Sequence, residues 1–233
     1  MKKIIKINNL KEIYQDYEAF ILDQWGVMHD GVNALPFAIK CVDKLFKNKK
    51  KLFIISNSSK RNFSTLLNLN KIGFEKNNFS GLMTSGEMIW QYLSSKKIDK
   101  VKKTSNACFH IYDETKEDGK SYLDGLEKFN FVKNIEDADF ILGCTPFSKK
   151  KILDYVPILD IALKKNIDFI CANPDFEVFD SFLKEKHFCM GAISELYKNM
   201  GGKVFFLGKP NIKIYQESLK NLSDVPKEKI LAK

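Results

Sequence analysis

Asp23 is the first residue of this sequence that could perform chemistry. It follows the apolar run 19–22 and stands in a turn that contains Gly26. A carboxylate at the end of a buried strand can accept a phosphoryl group as an acyl phosphate, bind a divalent cation, or do both. The backbone carbonyl of Trp25 offers a second hard oxygen for magnesium from the same turn. On these residues alone, an aspartate that opens an ordinary turn is the alternative.

The pair Ser56 and Asn57 follows a second apolar run, 52–55. Its hydroxyl, its side-chain amide and the backbone amides of the next turn can hold the oxygens of a phosphate group. A serine-rich loop that only caps the following helix is the alternative.

Lys209 is the third candidate. It lies in the tripeptide Gly-Lys-Pro at 208–210, after the apolar run 204–207. A lysine held in a fixed turn can neutralise the charge that accumulates on a phosphoryl group. In a chain this rich in lysine, an ordinary surface residue is the alternative.

The elements that must position these residues follow from apolar, strand-like runs that alternate with helical patterns, which is typical of a parallel α/β fold. The carboxyl ends of parallel strands meet at one edge of a sheet, so Asp23, Ser56 and Lys209 should converge there. The sequence Thr-Ser-Gly-Glu at 84–87 predicts a capping box at a helix start. The predicted strands cover 19–23, 52–55, 107–112, 138–144, 167–172, 203–207 and a last one from 229. One predicted helix begins near 36, two more include 66–69 and 87–93, and the last three cover 150–164, 191–200 and 211–222.

The formal net charge of +9 on 233 residues raises the question of nucleic-acid binding. The basic residues are almost all lysines spread along the chain, and Arg61 is the only arginine. Bidentate contacts to bases and phosphates favour arginine, so scattered lysines indicate a solvated surface instead. With 44% hydrophobic residues, the chain can bury the core of one large domain or two small ones.

The sequence favours a cytoplasmic protein without a membrane partner. The N-terminus lacks the apolar core of a signal peptide, and no apolar run approaches the ~18 residues of a membrane span. The cysteines are widely spaced and include no CxxC pair, which predicts reduced thiols. They are Cys41, Cys108, Cys144, Cys171 and Cys189.

Five motifs, taken in order, resemble those of the haloacid dehalogenase (HAD) superfamily of hydrolases. The first is Asp-Gln-Trp-Gly-Val-Met-His-Asp-Gly at 23–31, the second covers 54–61, and the third covers 207–210. Residues 84–87 resemble the entry to an inserted cap and 171–175 resemble its exit. The resemblance covers essentially the whole chain and points to the class IIA-like subfamily, which has a large α/β cap between the second and third motifs.

The resemblance implies a three-layer, doubly wound, Rossmann-like core formed by 1–78 and 191–233. An α/β cap from 79–190 would exclude water and select the substrate. Asn173 and Asp175 would orient the junction of core and cap. Asp175 could also contact substrate or metal, or belong to an ordinary Asn-Pro-Asp turn. We also expect copies of the chain to associate through the cap.

The activity that the resemblance implies is a Mg²⁺-dependent phosphatase of a small phosphorylated metabolite. Asp23 would attack phosphorus to form an aspartyl phosphate, with Mg²⁺ bridging Asp23, the Trp25 carbonyl and the substrate. The phosphate oxygens would be held by Ser56, Asn57 and Lys209.

Trp25 departs from the family pattern. Typical members carry a second aspartate there, which protonates the leaving oxygen and then activates water, and an indole can do neither. General acid-base catalysis worth ~10²–10⁴-fold would have to come from another group. His29 and Asp30 are the candidates, and a partly buried turn histidine and an Asp-Gly turn pair are the alternatives.

The family's fourth motif is the other departure. It supplies further metal carboxylates and would follow a strand such as 230–232, whereas the sequence ends at Lys233. From the resemblance we expect this form to be poorly soluble alone and nearly inactive as a phosphatase.

Four functions therefore compete. The first is the phosphatase, and the second is a catalytically impaired protein that keeps the phosphate pocket and binds a metabolite or partner. The third is phosphoryl transfer to an acceptor other than water. Nucleic-acid binding is the fourth, and a steep salt dependence of affinity would identify it.

Overall fold

The computed structural model of the chain describes residues 6–95, 106–115, 120–147, 149–180 and 184–232. Parallel sheets with helices on their faces form the predicted α/β fold. The strands are β1 (Ala19–Leu22), β2 (Lys51–Ser56), β3 (Gly81–Thr84), β4 (Ala107–Ile111), β5 (Asn130–Val132), β6 (Phe140–Gly143), β7 (Asp168–Cys171), β8 (Glu177–Asp180), β9 (Glu185–Phe188), β10 (Val204–Phe206) and β11 (Ile230–Ala232). The α-helices are α1 (Ala38–Lys47), α2 (Asn62–Lys71), α3 (Ser85–Ser94), α4 (Val156–Lys164), α5 (Met190–Asn199) and α6 (Ile212–Lys220). Short 3-10 helices cover Leu10–Glu12, Tyr14–Asp16, Lys76–Asn78, Ile135–Asp137, Ile152–Tyr155 and Lys227–Lys229.

The first sheet places the ends of β1 and β2 side by side. Within the described residues its order is β11-β1-β2-β3, and all neighbouring strands are parallel. Leu22 at the end of β1 is level with Ile54, and Ser56 at the end of β2 is level with Thr84. These strands read as nearly continuous apolar runs because both faces of a parallel sheet are covered by helices. Asp23 and Ser56 therefore emerge at the same edge.

The second sheet lies farther along the chain and is also parallel. Among the described strands its order is β10-β7-β6-β4-β5. A separate antiparallel hairpin, β8 with β9, follows β7.

One apolar cluster joins the two sheets. It combines Ile21 and Phe53 of the first sheet with Phe140 of the second, and it includes buried side chains of α3 and α6. A second cluster packs α1 and α2 on the other face of the first sheet. A third packs α4 and α5 on the other face of the second sheet. The described helices lie outside and between two sheets, and none of them is long and apolar enough to cross a membrane.

The structure corrects one prediction about the strand before Lys209. The run 203–207 was expected to lie in the same sheet as Asp23, but β10 pairs with β7 in the second sheet, with Phe205 level with Ile170. An apolar run specifies that a strand is buried but does not specify which sheet it joins. The chain rejoins the first sheet later, since α6 packs against β2 and β3 and β11 pairs with β1.

The proposed division of the chain at 79 and 191 does not follow sheet membership. β3 lies beyond 78 and belongs to the first sheet, whereas α5 begins at Met190 and packs against β7 and β10 of the second. The domain boundaries themselves stay a prediction. The expectation about the chain end rests on Lys233, which lies outside the described residues.

None of the five cysteines forms a disulfide bond. Cys41 is exposed and the other four are buried. Burial raises the pKa of Cys171 to about 12. Because the thiolate is the reactive form, a buried thiol of this kind is inert at neutral pH.

His110 on β4 predicts a loss of stability in mild acid. It is buried, both ring nitrogens lack a hydrogen-bond partner in the described structure, and the ring stacks on Tyr112 at 4.4 Å. Burial lowers its pKa from 6.5 to about 3. Below pH 6.5 the histidine therefore binds a proton in the unfolded chain but stays neutral in the folded chain. The free energy of unfolding should therefore fall as pH drops below 6.5. His110 should account for about 2 kcal/mol of this loss at pH 5.

Urea unfolding at pH 7 and pH 5 tests this prediction. His110→Phe, which keeps a ring in the cluster, should lose clearly less stability between the two pH values than the unaltered chain. Equal losses in both proteins would contradict it.

Candidate active site

Asp23 directly follows β1 and carries two contacts on one carboxylate oxygen. Its Oδ1 accepts a hydrogen bond from the Gln24 amide at 2.8 Å and lies 2.7 Å from Nζ of Lys209. The Asp23 side chain is 33% exposed, and its Oδ2 has no hydrogen-bond partner among the described residues. One oxygen is thus fixed by a cation while the other is open to a ligand.

Lys209 reaches Asp23 although the strands that precede the two residues belong to different sheets. The sequence placed both residues within reach of one phosphate group, and the 2.7 Å separation agrees with that placement. The Lys209 side chain is 22% exposed, so the pair lies at a partly open surface rather than in the core.

Ser56 begins a loop that is held by the start of α3. Ser56 Oγ accepts a hydrogen bond from the Ser58 amide at 3.2 Å, and the Gly86 amide donates to the Ser58 carbonyl at 2.9 Å. A Cβ on Gly86 would lie 2.0 Å from the Ser59 carbonyl oxygen, so the loop and the helix touch backbone to backbone. Ser56 is a buried residue at the end of β2, the strand that pairs with β1.

Asn57 is buried and links three parts of the chain. Its amide nitrogen donates to Asp175 Oδ1 at 2.8 Å and to the Lys209 carbonyl at 3.1 Å. Its amide oxygen accepts a hydrogen bond from the Lys209 amide at 2.7 Å. The sequence placed Asn57 on the phosphate, whereas these contacts are to protein groups.

Asn173 and Asp175 form the loop after β7. Asn173 Oδ1 accepts a hydrogen bond from the Asp175 amide at 3.1 Å, which is the ordinary turn contact that the sequence offered as an alternative. The Asp175 carbonyl accepts from the Gly191 amide at 3.0 Å, so the start of α5 fixes the loop. Asp175 reaches the site through Asn57.

Trp25 is bound to the hairpin instead of to the nucleophile. Its indole nitrogen donates to the Phe179 carbonyl in β8 at 3.1 Å. The ring packs edge-on against His29 with 5.7 Å between centroids, and a Cβ on Gly31 would lie 2.3 Å from it. Trp25 nevertheless stays 41% exposed.

Replacement of Trp25 by Phe should loosen the hairpin. The change keeps a ring and removes the hydrogen bond to the Phe179 carbonyl, a loss of about 1 kcal/mol. Amide hydrogen exchange in β8 should then accelerate by about fivefold. Trp90→Phe is the matched control, because Trp90 also donates to a backbone carbonyl, that of Asp124 at 2.9 Å. Unchanged exchange in β8 after the Trp25 replacement would argue against the link.

His29 is positioned by its own turn. Its Nδ1 accepts a hydrogen bond from the Gly31 amide at 3.0 Å. Burial lowers its pKa from 6.5, and the nearby carboxylates of Asp30 and Asp23 offset only part of this effect. The ring is therefore neutral near pH 7, and its proton lies on Nε2 because Nδ1 is the acceptor.

Asp30 uses its carboxylate locally. Oδ1 accepts hydrogen bonds from the amides of Val32 at 3.0 Å and Asn33 at 2.8 Å. Chiefly through these bonds, its pKa falls below the ordinary value. These contacts match the turn alternative and make Asp30 a poor proton donor at neutral pH.

The sequence missed the pairing of Arg61 with Glu87. Arg61 Nε lies 2.7 Å from Glu87 Oε2, and its guanidinium stacks on Trp90 at 3.6 Å from the ring centroid. Burial would raise the pKa of Glu87, but hydrogen bonds from Arg61 and from the Asn62 amide lower it overall. The pair ties the loop after β2 to α3. The only sequence signal for this pair was the single arginine at the end of the second motif.

Carboxylates for a metal ion are few at this site. Among the described residues no group of three or more His, Cys, Asp or Glu side chains is placed to hold a metal. The Trp25 carbonyl belongs to the same turn as Asp23.

The chain was compared with known sequences. The sequence profile of the haloacid dehalogenase-like hydrolases matches residues 20–137, about half of the chain. This range contains β1, the loop after β2 and α3. None of the curated protein sequences matches.

Several solved structures have the same fold. A haloacid dehalogenase-like hydrolase from Brucella suis is 24% identical with a TM-score of 0.85, and the match covers 97% of this chain and 81% of that one. A possible sugar phosphatase from Cytophaga hutchinsonii is 18% identical with a TM-score of 0.77, over 98% of this chain and 81% of that one. A glycerol phosphate phosphatase from Mycobacterium tuberculosis in complex with magnesium is 14% identical with a TM-score of 0.65, over 94% and 62%.

Proposed function

Because this chain belongs to the haloacid dehalogenase-like hydrolases, we propose that it hydrolyses a small phosphorylated metabolite with Asp23 as the nucleophile. The observation that carries the proposal is the 2.7 Å contact between Asp23 Oδ1 and Lys209 Nζ, with Asp23 Oδ2 left open. A carboxylate so placed can attack phosphorus while the lysine offsets the charge of the phosphoryl oxygens.

The reaction has two steps. In the first, Asp23 Oδ2 forms a bond to phosphorus as the bond from phosphorus to the leaving oxygen breaks. The hydroxyl of Ser56 and Nζ of Lys209 bind the equatorial oxygens. In the second, water attacks phosphorus, orthophosphate leaves, and the Asp23 carboxylate is regenerated.

Magnesium fits the donors of the first turn. The ion is commonly held by one or two carboxylates together with substrate phosphate and water. The Asp23 carboxylate and the Trp25 carbonyl would contact it. When bound, the ion would neutralise charge on the transferred phosphoryl group. The magnesium in the Mycobacterium tuberculosis phosphatase supports this part of the proposal.

The side chains that follow Asp23 favour an activated substrate. The Trp25 indole donates a hydrogen bond to the Phe179 carbonyl, and the Asp30 carboxylate accepts hydrogen bonds from two backbone amides. Neutral His29 keeps only the weakly acidic proton on Nε2. With little general-acid help, a leaving oxygen must depart as an anion. Acyl phosphates, phosphoanhydrides and aryl phosphates meet this need better than alkyl phosphates.

Phosphate release from a panel of such compounds tests the proposal. Acetyl phosphate and p-nitrophenyl phosphate should be hydrolysed faster than glycerol phosphate, and EDTA should suppress all three reactions. Acid quenching during turnover should trap one phosphoryl group on the peptide that contains Asp23, as seen by mass spectrometry.

The catalytically impaired binding protein is the alternative, and the lack of a metal-binding group of carboxylates among the described residues favours it. It would bind orthophosphate or a phosphorylated metabolite without releasing phosphate and without a trapped phosphoenzyme. That result, found across the whole panel with magnesium present, would overturn the hydrolase proposal.

A further inference from the structure

Asn57 holds the backbone of Lys209 at two points. Its amide oxygen accepts from the Lys209 amide at 2.7 Å, and its amide nitrogen donates to the Lys209 carbonyl at 3.1 Å. Both backbone polar groups of one residue are thus bound by one side chain. A two-point contact fixes orientation as well as position, in the way that bidentate pairs do.

The hydrogen-bonding capacity of the Asn57 amide nitrogen is fully used. A primary amide has two N–H donors, and here one goes to the Lys209 carbonyl and the other to Asp175 Oδ1 at 2.8 Å. Asn57 is also only 7% exposed. The side chain therefore has no N–H left for a phosphate oxygen.

Gly208 packs closely against the Asn57 side chain. A Cβ on Gly208 would lie 2.6 Å from Asn57 Oδ1 and 2.8 Å from Cγ of Pro174. The loop after β2, the loop after β7 and the turn at Lys209 therefore meet without a gap. Glycine at 208 allows this approach because any side chain there would displace Asn57.

We infer that Asn57 and Asp175 are positioning residues that set Lys209 against Asp23. Asp175 anchors the Asn57 amide, Asn57 holds the Lys209 backbone, and Lys209 Nζ then lies 2.7 Å from Asp23 Oδ1. This inference rests on the proposed function for its catalytic meaning and replaces phosphate binding as the role of Asn57. Through Asp175 it makes the loop after β7, and hence the second sheet, part of the lysine's placement.

The test measures Lys209 directly. Acetic anhydride acylates amines, and peptide mass spectrometry resolves the acylation rate of each lysine without any need for turnover. In the unaltered protein Lys209 should react slowly because its ammonium is paired with Asp23. In Asn57→Ala its rate should rise severalfold, while the surface pairs of Lys198 with Glu195 and Lys220 with Glu217 give unchanged reference rates.

Asn62→Ala is the matched control. Asn62 also bonds two backbone groups, donating to the Leu82 carbonyl at 2.7 Å and accepting from the Thr84 amide at 3.1 Å, and neither belongs to Lys209. It should leave the acylation rate of Lys209 unchanged. An equal rise in both variants, or none in Asn57→Ala, would overturn the inference.

Two further variants test the inference if Asn57→Ala folds poorly. Asp175→Ala changes an exposed residue and removes only the anchor, so the Lys209 rate should rise less than in Asn57→Ala. Asn57→Asp sets two carboxylates against each other, and Asp175→Asn added to it restores a donor and an acceptor. The double variant should protect Lys209 better than Asn57→Asp alone, and the absence of rescue would count against the pairing.

Kinetics separate positioning from phosphate binding. A misplaced lysine should lower kcat by about 10²-fold with a smaller change in KM. Loss of a phosphate contact made equally in the ground state would raise KM alone. If the unaltered protein shows no turnover, the proposed function fails while the acylation rates still decide the inference.

Discussion

Asp23→Asn should abolish phosphate release and phosphoenzyme formation. The amide keeps the size of the side chain but is neither a nucleophile nor a negative ligand, so turnover should fall on the order of 10⁴-fold or more. The fold should persist because Asp23 and Lys209 are partly exposed, and such pairs contribute at most about 1 kcal/mol. Phosphate release and urea unfolding of the same preparation measure both effects.

Asp30→Asn provides the control for this prediction. It makes the same chemical change in the same turn. Asp30 accepts hydrogen bonds from the amides of Val32 and Asn33, and an asparagine oxygen can still accept them. Activity should stay within a few-fold of the unaltered protein. Turnover that survives in Asp23→Asn would rule out the aspartyl-phosphate route, and loss in both variants would point to the turn itself.

Gly86→Ala should destabilise the protein, against the trend for helices. Gly86 is the second residue of α3, where alanine is normally preferred over glycine by up to about 1 kcal/mol. Here the added Cβ would lie 2.0 Å from the Ser59 carbonyl oxygen and 2.9 Å from that of Lys60. Because backbone must shift, we expect a net loss of about 1–3 kcal/mol and displacement of the loop that carries Ser56.

Urea unfolding measures the first effect and phosphate release measures the second. Ser94→Ala, near the other end of α3, reports helix propensity without the close contact and should be neutral or slightly stabilising. A Gly86→Ala protein of unchanged or higher stability would show that the loop yields without cost.

Local features of the site could be predicted from sequence alone. The apolar runs predicted strand ends at 23 and 55, each within one residue of the observed ends of β1 at Leu22 and β2 at Ser56, and a helix start after Thr84. Half of the predicted capping box is confirmed, since the Thr84 side chain accepts from the Glu87 amide at 2.9 Å. The other half was wrong, because the Thr84 amide donates to Asn62 Oδ1 and not to the Glu87 carboxylate. Such features depend on neighbours within a few residues, which a single sequence contains.

The predicted convergence of Asp23 with Lys209 rested on placing both residues at the carboxyl ends of strands in one sheet, and that strand assignment was wrong. Lys209 follows a strand of the second sheet and still reaches Asp23. The apolar run 204–207 has the same composition whichever sheet it joins, because burial alone determines that pattern.

The sequence by itself determined which polar side chains follow the apolar runs, and thus which functional groups the site can offer. The tertiary structure alone decided what those side chains touch. The Asn57 side chain hydrogen-bonds the Lys209 backbone, and the Trp25 indole hydrogen-bonds the Phe179 carbonyl. Both bonds join residues more than a hundred positions apart. Hydrogen-bonding groups of a residue are fixed by its type, but their partners are set by packing of distant segments, and no local pattern records that packing.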